Sequence, residues 1–328
     1  MDTQRKKTRV ASLSVISNTV LVVFKAIVGI LIGSVAVLSE AIHSGMDLIA
    51  ALIAFFAVKM SGKEADEDHA FGHTKVENIS AAIEALLIFV AAVWIIYEAV
   101  RKLINPQPLE TVGWGIAVML ISTIANLIVS RLLFKVGKET DSAALIADGW
   151  HLRTDVYTSA GVMAALSLIW LGRYFFPDLN LVWLDPVVAI AVALLILHAA
   201  YDLTMRAAQD LIDRSVPKEE KEWMQNYLSA LHPTVRSFHR LRTRKAGATR
   251  FINIHLALDS KLTVSKSHRI GDEIVADFKV HFPHDIDIIV HIEPCDGSCS
   301  PACKSGCLLS EDEQKAAMAD AQDGHTTN

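Results

Sequence analysis

Cysteine is missing from the first 294 residues of this 328-residue chain, and all four, Cys295, Cys299, Cys303 and Cys307, fall near the end at four-residue intervals. No disulfide framework can hold the bulk of the chain, and thiols on a cytosolic segment stay reduced. Gly297, Pro301 and Gly306 interrupt a helix that would align the thiols, so the run reads as a flexible exposed tail, with a soft-metal site as the alternative. A basic stripe interleaved with aromatics is also missing. The net charge of −5 is spread evenly, which excludes nucleic-acid binding. The N-terminus carries Arg5, Lys6, Lys7 and Arg9 but no short apolar core with a small-residue cleavage site, so it reads as a retained cytosolic end. No His-Glu-x-x-His occurs, which counts against an intramembrane metal-dependent hydrolase.

What is abundant is apolar sequence. Hydrophobic residues make up 52% of the chain, and near-continuous apolar stretches cover 10–33, 36–60, 79–100, 112–134, 142–172 and 182–207. Each can cross a hydrocarbon core about 30 Å thick, so the reading is a multi-pass integral membrane protein embedded in lipid. With the N-terminus inside, cytosolic connections hold Lys59, Lys63, Lys75, Arg131, Lys135 and Lys138, against Arg101, Lys102 and Arg173 outside. That bias satisfies the positive-inside rule and puts both termini in the cytosol.

Two of these spans repeat one chemistry. His43 and Asp47 stand four residues apart in the second, and His151 and Asp155 four apart in the fifth. On a helix each pair shares a face. Together they offer a four-ligand N2O2 shell suited to a divalent ion of the zinc type, and uncompensated ionisable groups at membrane depth are read as functional by default. The rival reading is a buried hydrogen bond or packing contact at each pair; the repeat favours metal. Glu40 is either a proton or orienting partner or a residue facing external water, and Asp148, on the stripe of His151 and Asp155, is a candidate to accept a proton or orient His151. Lys25 either snorkels or pairs with an acid. Spans three and four read as scaffold, with Asn126 their main buried polar group.

The polar connection at 60–78 contains Asp66, His69 and His73, which form a possible surface site. Beyond Pro217 the pattern changes to helix, strands at 235–244 and 249–258, a helix at 263–280 and a strand at 285–293. Ser215 is the cap candidate of the first helix. The order αββαβ indicates an α+β, ferredoxin-like cytosolic domain. Strand alternation puts Ile252, Ile254, Leu256 and Leu258 on the core side, with Ile286, Ile288, Val290 and Ile292. His255, His291 and Glu293 then share the opposite face, where His239 and His268 are expected to join them in a metal cluster. Domains are expected at 1–213, 214–294 and 295–328.

These residues, with the loop Asp-His-Ala-Phe-Gly-His-Thr-Lys ending at Lys75 and the stretch Leu241-Arg242-Thr243-Arg244 to His255, resemble the cation diffusion facilitators over 1–294, closest to the bacterial iron and zinc efflux branch. The resemblance implies a homodimeric metal/proton antiporter of the bacterial inner membrane, not an enzyme, with an ion pair between Lys75 and Asp213 near the dimer interface. That branch often has Asp in place of His43 and of Glu293. A nitrogen donor at position 43 favours Zn2+ or Cd2+ over Fe2+ or Mn2+. A membrane metal sensor is the alternative function.

Overall fold

The computed structural model describes all residues except 1, 34, 106–112, 176–182, 283–284, 296–299 and 325–328. It forms two compact units, Met1–Leu211 and Ile212–Asn328. The first unit contains the helices α1 (Asp2–Ile32), α2 (Val35–Ser61), α3 (Lys75–Ile104), α4 (Gly113–Glu139), α5 (Ala143–Phe175) and α6 (Leu184–Leu211). Five of them are long and apolar enough to cross a bilayer; α5 has the length, but carries Asp148, Arg153 and Asp155 in its first half.

The polarity of this unit is inverted relative to a protein folded in water. On α1, Ile16, Val20, Val23 and Ile27 point outward while Ser14, Asn18 and Lys25 are buried. Such an arrangement is favourable only where the surroundings are themselves apolar. Helix α1 packs on α2, α3 on α6 and α4 on α5. Gly29 permits the first of these contacts, since a Cβ there would stand 2.9 Å from the Leu38 side chain.

The helices run past the apolar stretches because polar residues at their ends find partners. Lys7 donates to Glu77 Oε1 at 2.7 Å, Ser61 Oγ to the same oxygen at 2.6 Å, and Ser142 Oγ to Oε2. One buried carboxylate thus fastens α1, α2, α3 and the turn before α5.

The second unit runs α7 (Lys218–Ala230), β1 (Ser237–Ala246), β2 (Thr249–Asp259), α8 (Val264–His281) and β3 (Ile286–Cys295), the expected αββαβ order. Strand β2 is central, antiparallel to β1 and parallel to β3. Met224 and Leu228 of α7 and Ile274 and Phe278 of α8 cover the sheet face formed by Ile252, Ile254, Leu256 and Leu258. Pro217, not Ser215, occupies the cap of α7, and Ser215 Oγ is instead 2.7 Å from Thr243 Oγ1.

The run expected to be a flexible exposed tail is folded where it is described. Residues Pro301–Ser305 form α9, and Glu311–Gly324 form α10. Cys295 and Cys303 are buried against Ala257 and Ala317, and burial pushes the Cys295 thiol up. The physical reason is a short edge-to-edge attachment. Phe238 N–H donates to Gly306 O at 3.2 Å, Leu308 N–H to Arg236 O at 2.9 Å, and Ser237 Oγ to Cys303 O at 2.9 Å. Cys299 lies outside the described residues.

Candidate metal centres

Four-residue spacing on α2 and α5 does bring both imidazole–carboxylate pairs together, but the partners cross between helices. His151 Nε2 lies 3.3 Å from Asp47 Oδ1, and His43 Nε2 lies 3.9 Å from Asp155 Oδ1. One donor atom each from His43, Asp47 and Asp155 falls within 4.8 Å of the others. Asp47 is buried, while His43 stands at the open side with 59% of its side chain exposed. A cavity of about 170 Å3 adjoins them, lined also by Lys25, Glu40, Asn126 and Thr158.

Asn126 belongs to this site. Its Nδ2 donates to Asp155 Oδ2 at 3.4 Å, so α4 contributes more than scaffold. A lone amide inside an apolar span was the signal. Lys25 meets an acid, donating to Glu40 Oε2 at 3.2 Å and to Ser44 Oγ at 2.8 Å. Asp148 does not orient His151: both its oxygens and His151 Nδ1 are buried without hydrogen-bond partners. Glu84 of α3 is also fully buried and accepts from Ser80 Oγ at 3.1 Å, an acid that its apolar neighbours hid in the sequence.

The connection before α3 forms a second cluster. His69 Nδ1 is 3.2 Å and His73 Nε2 3.3 Å from the two oxygens of Asp66, and the imidazole rings stand 4.5 Å apart. The His69 backbone N–H donates to Asp66 Oδ1 at 2.7 Å, and this bond holds the carboxyl below its usual range. Asp66 and His69 are exposed and His73 is buried.

A third cluster lies on the open face of the sheet. His239 pairs with His255 across β1 and β2, and His255 with His291 across β2 and β3, so three imidazoles form one row. Glu293, two residues along β3, is 2.7 Å from His255, 3.4 Å from His239 and 3.6 Å from His291. His239 reaches this face through a bulge. The register shifts between His239 and Arg242, and Arg240 adopts a φ of 47°. Strict alternation would place His239 on the core side with Leu241, whereas one extra residue reverses it. Hydrogen bonding to His255 holds the Glu293 carboxyl low, and burial holds the His239 imidazole low. Near neutrality the carboxyl is therefore ionised and the imidazole uncharged, the state in which such groups bind metal.

His268 does not join this cluster. Its side chain is 75% exposed on α8 and lies 3.5 Å from Asp272, because α8 covers the opposite face of the sheet. His291 is at the margin, 60% exposed, since β3 is an edge strand. Lys75 Nζ reaches Leu211 O at 3.4 Å, and Asp213 accepts from Arg244 at 3.3 Å.

The chain matches a description of the cation efflux transmembrane domain over residues 11–212 and of the cation efflux protein cytoplasmic domain over 216–295. It is 36% identical over 242 residues to the transporter sll1263 of Synechocystis sp., covering 74% of this chain and 76% of that protein. It is 32% identical over 274 residues to the cation-efflux pump FieF of Klebsiella pneumoniae, covering 84% and 87%. The solved metal-bound C-terminal domain of the CzcD transporter from Thermotoga maritima is 26% identical, with a TM-score of 0.22, over 24% of this chain and 94% of that one.

Proposed function

The chain belongs to the cation diffusion facilitator family of cation-efflux transporters, and from that premise we propose that it exports Zn2+, and Cd2+ with it, in exchange for protons. It is an integral multi-pass membrane protein whose family moves divalent metal ions. The observation that carries the finer reading is the crossed pairing of His43 with Asp155 and of Asp47 with His151. Each pair alone would be a local polar contact. Facing each other, the pairs hold one donor atom each from His43, Asp47 and Asp155 within 4.8 Å of the others, with His151 beside Asp47, and this mixed nitrogen and oxygen set is better suited to zinc than an all-oxygen one.

Metal and proton compete for the same atoms. An ion entering the quartet requires neutral imidazoles and ionised carboxylates, so loading expels protons and reprotonation from outside weakens the hold on the metal. Alternating exposure of the quartet to the two sides then couples metal leaving to protons entering. Residues 1–213 supply this pathway. Residues 214–294 bind further metal at His239, His255, His291 and Glu293 and hold a second copy of the chain as a homodimer. Asp66, His69 and His73 take metal at the cytosolic surface. Basic residues in the first turns of α1 and near one set of ends of the other spans support a bacterial inner membrane location with both termini inside.

Zinc uptake into proteoliposomes under a pH gradient tests this, with wild type beside Asp155→Ala and with cadmium, manganese and ferrous ions as competitors. The expected result is gradient-dependent uptake, lost in the variant and best inhibited by cadmium. Uptake in Asp155→Ala at the wild-type rate, or uptake indifferent to the gradient, would refute it.

A further inference from the structure

We propose that Lys25 and Glu40 set the metal affinity of the transmembrane site, with Lys25 acting as a resident cation that competes with the transported ion and Glu40 holding its ammonium aside. This rests on the reading of His43, Asp47, His151 and Asp155 as the transport ligands. Lys25 is 4% exposed within the apolar part of α1. Its ammonium donates to Ser44 Oγ at 2.8 Å and to Glu40 Oε2 at 3.2 Å. Glu40 is three residues before His43 and Ser44 directly follows it, so the ammonium is anchored on the helix that carries two of the four ligands. Lys25, Glu40, His43, Asp47 and Asp155 line one cavity.

A fixed positive charge in that cavity opposes an incoming divalent ion, and a charge buried among helices is screened less than one in open water. Glu40 offsets it while the ammonium stays parked. The lysine stem is long and flexible, and Glu40, with 40% of its side chain exposed, is the looser end of the pair. When the metal has gone, an ammonium turning toward Asp47 and Asp155 lowers the cost of the buried charge that reprotonation of the quartet leaves on them. The lysine therefore weakens metal binding and assists release. A fastening role between α1 and α2 would predict that losing either partner damages the site in the same direction; competition predicts opposite directions.

The experiment measures the apparent KM and turnover for zinc in proteoliposomes containing the full chain. Lys25→Met should lower KM about tenfold and slow turnover, whereas Glu40→Gln, which frees the ammonium, should raise KM about tenfold. Lys25→Arg, which keeps the charge, should stay near wild type. The double variant Lys25→Met with Glu40→Gln should show the KM of Lys25→Met. It leaves no unpaired charge, so it decides the matter if a single variant folds poorly. Both single variants raising KM, or the double variant matching wild type, would overturn the proposal. Wild-type transport by Asp155→Ala would remove the transport-site reading beneath it.

Discussion

Replacing Glu77 by alanine should be the most damaging single change in the helical unit outside the metal sites. The Glu77 carboxylate accepts from Lys7, Ser61 and Ser142, and the side chains of Lys7 and Glu77 are only 9% and 2% exposed. Removing it strands a buried ammonium, which costs about 3–5 kcal/mol when one partner of a buried ion pair is lost. For a unit of this size about 1 kcal/mol corresponds to roughly 2–4 °C, so the apparent Tm in detergent should fall by roughly 6–20 °C. The companion variant Lys7→Met with Glu77→Leu removes both charges, keeps volume in the cavity and should recover most of the loss. Thermal unfolding followed by size exclusion, or by intrinsic tryptophan fluorescence, reads the difference. A fall under about 2 °C in Glu77→Ala would refute the view that this carboxylate fastens four elements, as would a double variant no more stable than the single.

Two further outcomes follow from the second unit. Because burial holds His239 low and hydrogen bonding holds Glu293 low, protons displace zinc from these two donors only at a pH below their ordinary ranges, and zinc affinity at that cluster should weaken as pH falls. Competition with a fluorescent chelator, taking the difference between wild type and His255→Ala, measures this; His268→Ala should leave the curve unchanged. Gly306→Ala would place a Cβ 1.8 Å from Phe238 O, so the attachment of α9 to β1 must open, at a cost of roughly 1–3 kcal/mol. Cys303 should then react with a thiol reagent under native conditions far faster than in the parent protein, and equal rates would refute the packing described.

Helix and strand identity could be read from the chain because they depend on local periodicity. The apolar runs are long enough to force helices at membrane depth, where no other structure satisfies its own backbone. The alternation Ile252, Ile254, Leu256, Leu258 likewise required a one-sided strand. The i to i+4 spacing of His43 with Asp47 and of His151 with Asp155 was similarly legible, since one helical turn places each pair on one face. Which imidazole meets which carboxylate was not. The crossed pairing depends on how α2 and α5 face each other, a contact across more than a hundred residues of chain. Asn126 and Lys25 enter the site for the same reason, since the distant helices α4 and α1 bring them there, whereas Glu40 lies one turn before His43 on the same helix. His239 reached the cluster through a bulge, and His268 missed it because α8 lies on the other face of the sheet. The cysteine run looked flexible because glycine and proline interrupt it, and backbone pairing with β1, invisible in local composition, holds it down. Local sequence determined which elements form and which faces carry the donors; only packing between elements decided which donors stand together.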